Sequence, residues 1–123
     1  MKAQISRYIK PERKYYSSDA AYRKAIKLNG KGKETYFKTT PQENFTIAAN
    51  VNPSENGFKK GTIIKINGHG INLIGEVEDR CVAAEKLWKR KRIIQFDIFS
   101  KMSQKQADDW GKREMTVEIL QPI

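Results

Sequence analysis

Between Gly61 and Leu120 the chain runs in short apolar segments cut by glycine turns. The most apolar of these, Ile93-Ile94-Gln95-Phe96-Asp97-Ile98-Phe99, carries a carboxylate near its centre. An ionised Asp among Ile and Phe costs free energy unless donors satisfy it or it keeps its proton. The segment therefore reads as a strand whose Asp97 is either tied down by a turn or an Arg, or kept for chemistry. Alternation places Ile93, Gln95, Asp97 and Phe99 on one face of that strand.

The neighbouring segments follow the same pattern. Phe45 to Ala49, Thr62 to Ile66, Ile71 to Glu78 and Glu114 to Leu120 read as strands. Turns are expected at Asn52 to Gly57 and at Gly68-His69-Gly70, and Gly75 inside its strand suggests a bulge. Ser17 to Leu28 begins with capping residues, spaces Ala21, Ala25 and Leu28 along one face and stops at Asn29-Gly30, so a short helix is expected. Ser103 to Gln106 has capping-box spacing and Gly111 ends the helix it opens. Gly30 to Glu43 reads as an irregular loop or edge strand. Many short strands with one or two short helices describe a mainly β protein, a small closed barrel. The expected division is an N-terminal extension at 1–45 and a barrel at 46–123, together one compact domain, as 123 residues allow.

Composition narrows the chemistry. One cysteine, Cys81, and one histidine, His69, leave no internal disulfide, zinc set or histidine-based triad to build. No metal and no cofactor is expected. No apolar run approaches the ~18 residues of a membrane span. Met1 to Pro11 lacks the ~7–15 apolar residues of a secretory signal, so cytoplasmic synthesis is expected, with a virion or the cell envelope as destination. The 24 Lys and Arg against 14 Asp and Glu are densest at Lys86 to Arg92, read here as a basic insertion, and point to a polyanionic partner. Nucleic acid satisfies that charge but lacks aromatic-basic strand signatures here.

Several landmarks occur in a familiar order: Asn52-Pro53, Gly61-Thr62, Gly68-His69-Gly70, Glu78-Asp79, the strand around Asp97, Ala107 to Gly111 with Trp110, and Val117 to Leu120. This order resembles the three-aspartate domain, the six-stranded double-psi β-barrel of A-type lytic transglycosylases and related wall enzymes. The resemblance covers about half the chain. It implies Asp97 in the catalytic position, Asp79 as the middle aspartate and Asn52 in place of the first. The family's Gly-Gly after the middle Asp is here Arg80-Cys81-Val82-Ala83, and the path from Asp79 to Asp97 is longer than the family's.

The implied reaction cleaves the N-acetylmuramic to N-acetylglucosamine bond of peptidoglycan with one acid. Asp97 would protonate the leaving oxygen, then take the proton of the muramic 6-hydroxyl as the 1,6-anhydro ring closes. Such an acid needs its pKa raised by desolvation or a neighbouring anion. Asn52, Thr62, Arg80, Trp88 and Arg92 are the expected substrate contacts, with Trp88 set to stack on a sugar ring. The competing expectation is an inactive barrel in a phage virion or tail that binds cell wall or other virion proteins. Asn52 and the rewritten Arg80 to Ala84 loop favour it.

Overall fold

The computed structural model describes residues 1–29 and 34–121. Six strands close into a barrel: β1 (Lys2–Ile9), β2 (Thr46–Ala49), β3 (Ile63–Gly68), β4 (Ile71–Arg80), β5 (Gln95–Ser100) and β6 (Arg113–Gln121). Their order around the barrel is β1-β5-β2-β4-β3-β6. The β1/β5 and β2/β4 pairs are parallel, and the other four are antiparallel. Exchanging β1, β2, β3 for β4, β5, β6 leaves this set of pairings unchanged, so two crossed three-strand halves interlock. Closure leaves no open sheet edge.

Period-2 alternation fills the interior from every strand. Ala3 and Ile5, Ile47 and Ala49, Ile64 and Ile66, Val77, Phe96 and Ile98, and Met115 and Val117 form one buried cluster. Phe58 packs on Phe96 at 5.0 Å between ring centroids. The residues between them point outward.

The structure corrects the expected division at residue 45. β1 lies inside the supposed extension yet pairs with β5 on one side and β6 on the other, and Ile5 is fully buried. Its outward residues, Lys2, Gln4, Ser6 and Tyr8, are polar or amphipathic, which makes the segment resemble a polar extension in composition, while Ala3, Ile5 and Ile9 on the inward phase are apolar and Arg7 is the exception.

Three helices join the strands: α1 (Asp19–Asn29), α2 (Val82–Lys91) and α3 (Gln104–Trp110). α1 occupies the helix expected at 17–28, with the Ser18 hydroxyl accepting from the Ala21 N–H. α3 has both bonds of its capping box, between Ser103 and Gln106. The irregular loop expected from Gly30 lies partly outside the described residues. α2 is a correction, because the basic run is helical. Ala84, Leu87 and Trp88 form its inner stripe, and Lys86, Lys89, Arg90 and Lys91 face solvent.

The expected bulge at Gly75 is also displaced. Gly75 pairs regularly with Ile64, and a Cβ there would sit 2.5 Å from the Phe45 carbonyl and 2.7 Å from Ile47 Cδ1. Close approach, rather than a kink, requires the glycine. The bulge falls instead between Ile47 and Ala48 in the β2/β4 pairing. None of the described helices is long and apolar enough to cross a membrane.

Two outcomes test this architecture. A chain starting at Thr46 should show no cooperative urea transition, since it lacks a strand bonded on both sides. Gly75→Ala should lose about 1–3 kcal/mol in the same measurement by overpacking.

Candidate functional site: a rung of side chains outside the barrel

Asp97 lies on the outer face of β5, between the inward-pointing Phe96 and Ile98. Its neighbours across the sheet form one rung over four strands. Ser6 on β1 is opposite Asp97, Asp97 is opposite Ala48 on β2, and Ala48 is opposite Asp79 on β4. The two carboxylate residues are thus two strand spacings apart, about 10 Å between backbones.

The bulge brings Asp79 to this face. Val77 points inward opposite Ile47, so uninterrupted alternation would turn Asp79 inward as well. The extra residue, Glu78, shifts the phase, and Asp79 comes out beside Ala48. Glu78 is satisfied where it stands, accepting from the Thr46 hydroxyl at 2.7 Å.

The two acids are held differently. Asp79 has both oxygens engaged: Oδ1 accepts from the backbone N–H groups of Tyr36 at 2.7 Å and Arg80 at 2.9 Å, and Oδ2 accepts from the Tyr8 hydroxyl at 3.0 Å. Tyr8 reaches it by packing against Ala48, Cys81 and Ala84. Burial, with Asp79 beside it, pushes the Tyr8 phenol far above its usual range, so it remains a donor.

Among the described residues Asp97 meets only neutral donors. Ser6 Oγ accepts from Gln95 Nε2 at 3.1 Å and donates to Asp97 Oδ1 at 2.5 Å. Gln95 in turn accepts from Gln4 Nε2 at 3.0 Å, which fixes its amide. The Cys81 thiol faces Oδ2 at 3.8 Å, and burial pushes that thiol up to about 11. Among the described residues no Lys or Arg lies within ion-pair distance of Asp97. The reading of Asp97 as the partner of an Arg is therefore corrected. Burial raises the Asp97 pKa, the Ser6 and Cys81 hydrogen bonds and the Lys112 charge oppose the rise, and the Asp79 charge adds to it. A half-buried acid that retains its proton above the ordinary carboxylate range can give it up and take it back.

The other expected site residues are scattered. Arg80 stays beside the rung, but its guanidinium binds Glu85 Oε2 at 3.2 Å and lies 5.7 Å from the Tyr36 ring centroid. Asn52 caps the short turn at Pro53–Glu55 through the Ser54 N–H and donates to Glu85 Oε1 at 2.8 Å. The bonds Glu85 accepts, from Asn52 foremost and then from Arg80, draw its carboxyl below its usual pKa. Thr62 is buried and its hydroxyl closes a turn on the Lys59 carbonyl. Trp88 is half-buried against Arg92, whose guanidinium is 5.3 Å from the indole centroid and 3.9 Å from Glu55. Neither reaches the Asp97 rung.

Ser6 and Tyr8 lie in the expected extension at 1–45 and so are absent from the expected site. The alternation of Ala3, Ile5 and Ile9 with polar residues was the available signal. No group of residues that could hold a metal ion occurs among the described residues.

A raised folded-state pKa means that ionising Asp97 costs folding free energy. The stability this carboxyl contributes is complete below its unfolded pKa near 4 and is lost as pH rises through the folded value. Asp97→Asn keeps an oxygen to accept from Ser6 and removes the charge. At pH 7 it should melt above the wild type by roughly 2–5 °C, on the order of 1 kcal/mol. The gap should close by pH 4 in scanning calorimetry, and a lower melting point for the variant at pH 7 would contradict the assignment.

No family model matches the chain, and no curated protein matches it.

Proposed function

We propose that the protein cleaves peptidoglycan glycan strands as a lytic transglycosylase, with Asp97 as the single general acid and base. The observation that carries this reading is the unequal state of the two carboxylates. Asp97 is half-buried and held by uncharged donors, and among the described residues no Lys or Arg is within ion-pair distance of it. Asp79 already accepts three hydrogen bonds and has no free role as a second carboxylate. A hydrolase with two carboxylates needs both, one as acid and one as base or nucleophile. An intramolecular ring closure needs one.

The proton balance closes within the substrate. Neutral Asp97 protonates the bridging oxygen as the C1–O bond of the muramic residue breaks. The carboxylate left behind takes the proton of the 6-hydroxyl as O6 bonds to C1. The enzyme ends protonated as it began, and no water enters. Ser6 and Cys81 donate to the carboxylate when it forms, and the fixed charge of Asp79 favours its return to the neutral state. Asp79 also pins Tyr8 and the backbone at Tyr36.

One observation favours the second reading, a barrel retained for structure or binding in a virion. Asn52 stands where the resemblance puts the first aspartate, and both ends of its amide are used in capping and in the bond to Glu85.

The test is mass spectrometry of purified peptidoglycan after incubation at pH 5 and pH 8. Wild type should release 1,6-anhydro muropeptides, faster at pH 5 because the reaction starts from the protonated acid. Asp97→Asn should be slower by roughly 10²–10⁴-fold. Reducing-end products, or wall binding without any product, would overturn the transglycosylase reading.

A further inference from the structure

The cations of α2 continue past its end. Lys89, Arg90 and Lys91 occupy its last turn, and Arg92 caps it in the left-handed conformation. All four are exposed. Cations in a last turn complement the helix dipole, which accounts for them one by one. It does not account for what the barrel sets beside them. Lys2 at the start of β1, and Lys112 and Arg113 where α3 passes into β6, line one groove of about 340 Å³ together with Arg92. Three segments distant in sequence thus bring four cations together, and Glu114 is the one carboxylate among the lining residues. Gathering like charge opposes the compact state, whereas dispersed charge would serve solubility as well.

Little of this charge is neutralised within the protein. Among the described residues Lys2, Lys112 and Arg113 form no ion pair, and Arg92 has only the exposed contact with Glu55 at 3.9 Å. The two guanidinium groups are nonetheless held in place. Arg92 lies 5.3 Å from the Trp88 ring centroid and Arg113 4.3 Å from that of Trp110. Arg113 Nε also donates to the Trp110 carbonyl at 3.0 Å, and its terminal nitrogens make no hydrogen bond to a described residue. A planar fork anchored in this way suits phosphate oxygens, which it can meet in pairs.

We propose that this groove and the exposed face of α2 bind the phosphate backbone of duplex nucleic acid without reading its sequence. Each indole beside the groove already carries a guanidinium, so unpaired bases gain no free ring to stack on, which favours a duplex over a single strand. The apolar stripe of α2 packs inward, so the helix keeps no apolar face to enter a lipid surface. The interface does not depend on the chemistry at Asp97.

Fluorescence anisotropy with a labelled duplex of about 20 base pairs, at about 50–200 mM NaCl, measures affinity and its salt slope, near 0.9 per phosphate neutralised. Lys2→Gln, Arg92→Gln and Lys112→Gln together should weaken binding roughly tenfold or more and lower the slope by roughly 2–3. A control triple on the exposed side of α1, Arg23→Gln, Lys24→Gln and Lys27→Gln, removes the same net charge and should leave the slope unchanged. Glu114→Gln should tighten binding roughly threefold, a gain that misfolding cannot produce. Equal losses from the two triples, or no gain from Glu114→Gln, overturns the groove as the interface. Competition by polyglutamate or by phosphatidylglycerol vesicles that equals unlabelled duplex charge for charge, or tighter binding of the single strand, overturns duplex nucleic acid as the partner.

Discussion

The register of β1 on β5 is the constraint from which the site follows. The two strands are far apart in sequence, and their parallel pairing sets Ser6 against Asp97 and Tyr8 against Phe99. A slip of one residue would turn Ile5 out of the core and Ser6 into it, so burial of the apolar face fixes the pairing. The hydrogen-bonded couples on the outer face come with that register at no added backbone cost. Packing of the interior thereby positions the Ser6–Asp97 and Tyr8–Phe99 couples outside.

The environment of Asp97 is a compromise in free energy. A cation at the rung would stabilise the carboxylate and lower its pKa, as Arg partners commonly do. Neutral donors instead satisfy the oxygens without fixing the charge. The chain from Gln4 through Gln95 to Ser6 leaves the serine hydrogen one direction, toward Oδ1. The Cys81 thiol, kept protonated by burial, covers the other oxygen. Both forms of the acid are therefore tolerated.

Much of the fold was legible because its signals are local. The capping box at Ser103, the Gly68-His69-Gly70 turn and the alternation in β5 and β6 each depend on residues a few positions apart. β1 was not legible as a barrel strand, because its outward residues are a Lys, a Gln, a Ser and a Tyr, Arg7 interrupts the inward apolar positions, and its partners are more than 90 residues distant. The helix at 82–91 was hidden by its cations, which cover the exposed side of the inner stripe of Ala84, Leu87 and Trp88. Asp97 stood out as a carboxylate in an apolar run. Its partners Ser6 and Cys81 did not, since their meeting is a product of topology.

The interlocked halves explain why the rung is uneven. Exchange of the halves carries the Ser6–Asp97 pair onto the Asp79–Ala48 pair, so the backbone offers two equivalent positions at the centre of the rung. A carboxylate at both would place two like charges on directly opposed residues, which is destabilising. The chain puts the acid at one and a methyl at the other. The small Ala48 then leaves the passage through which Tyr8 crosses to Asp79, tying β1 to β4 over two intervening strands. The same economy of space that removes the second central acid also builds the wall beside the first.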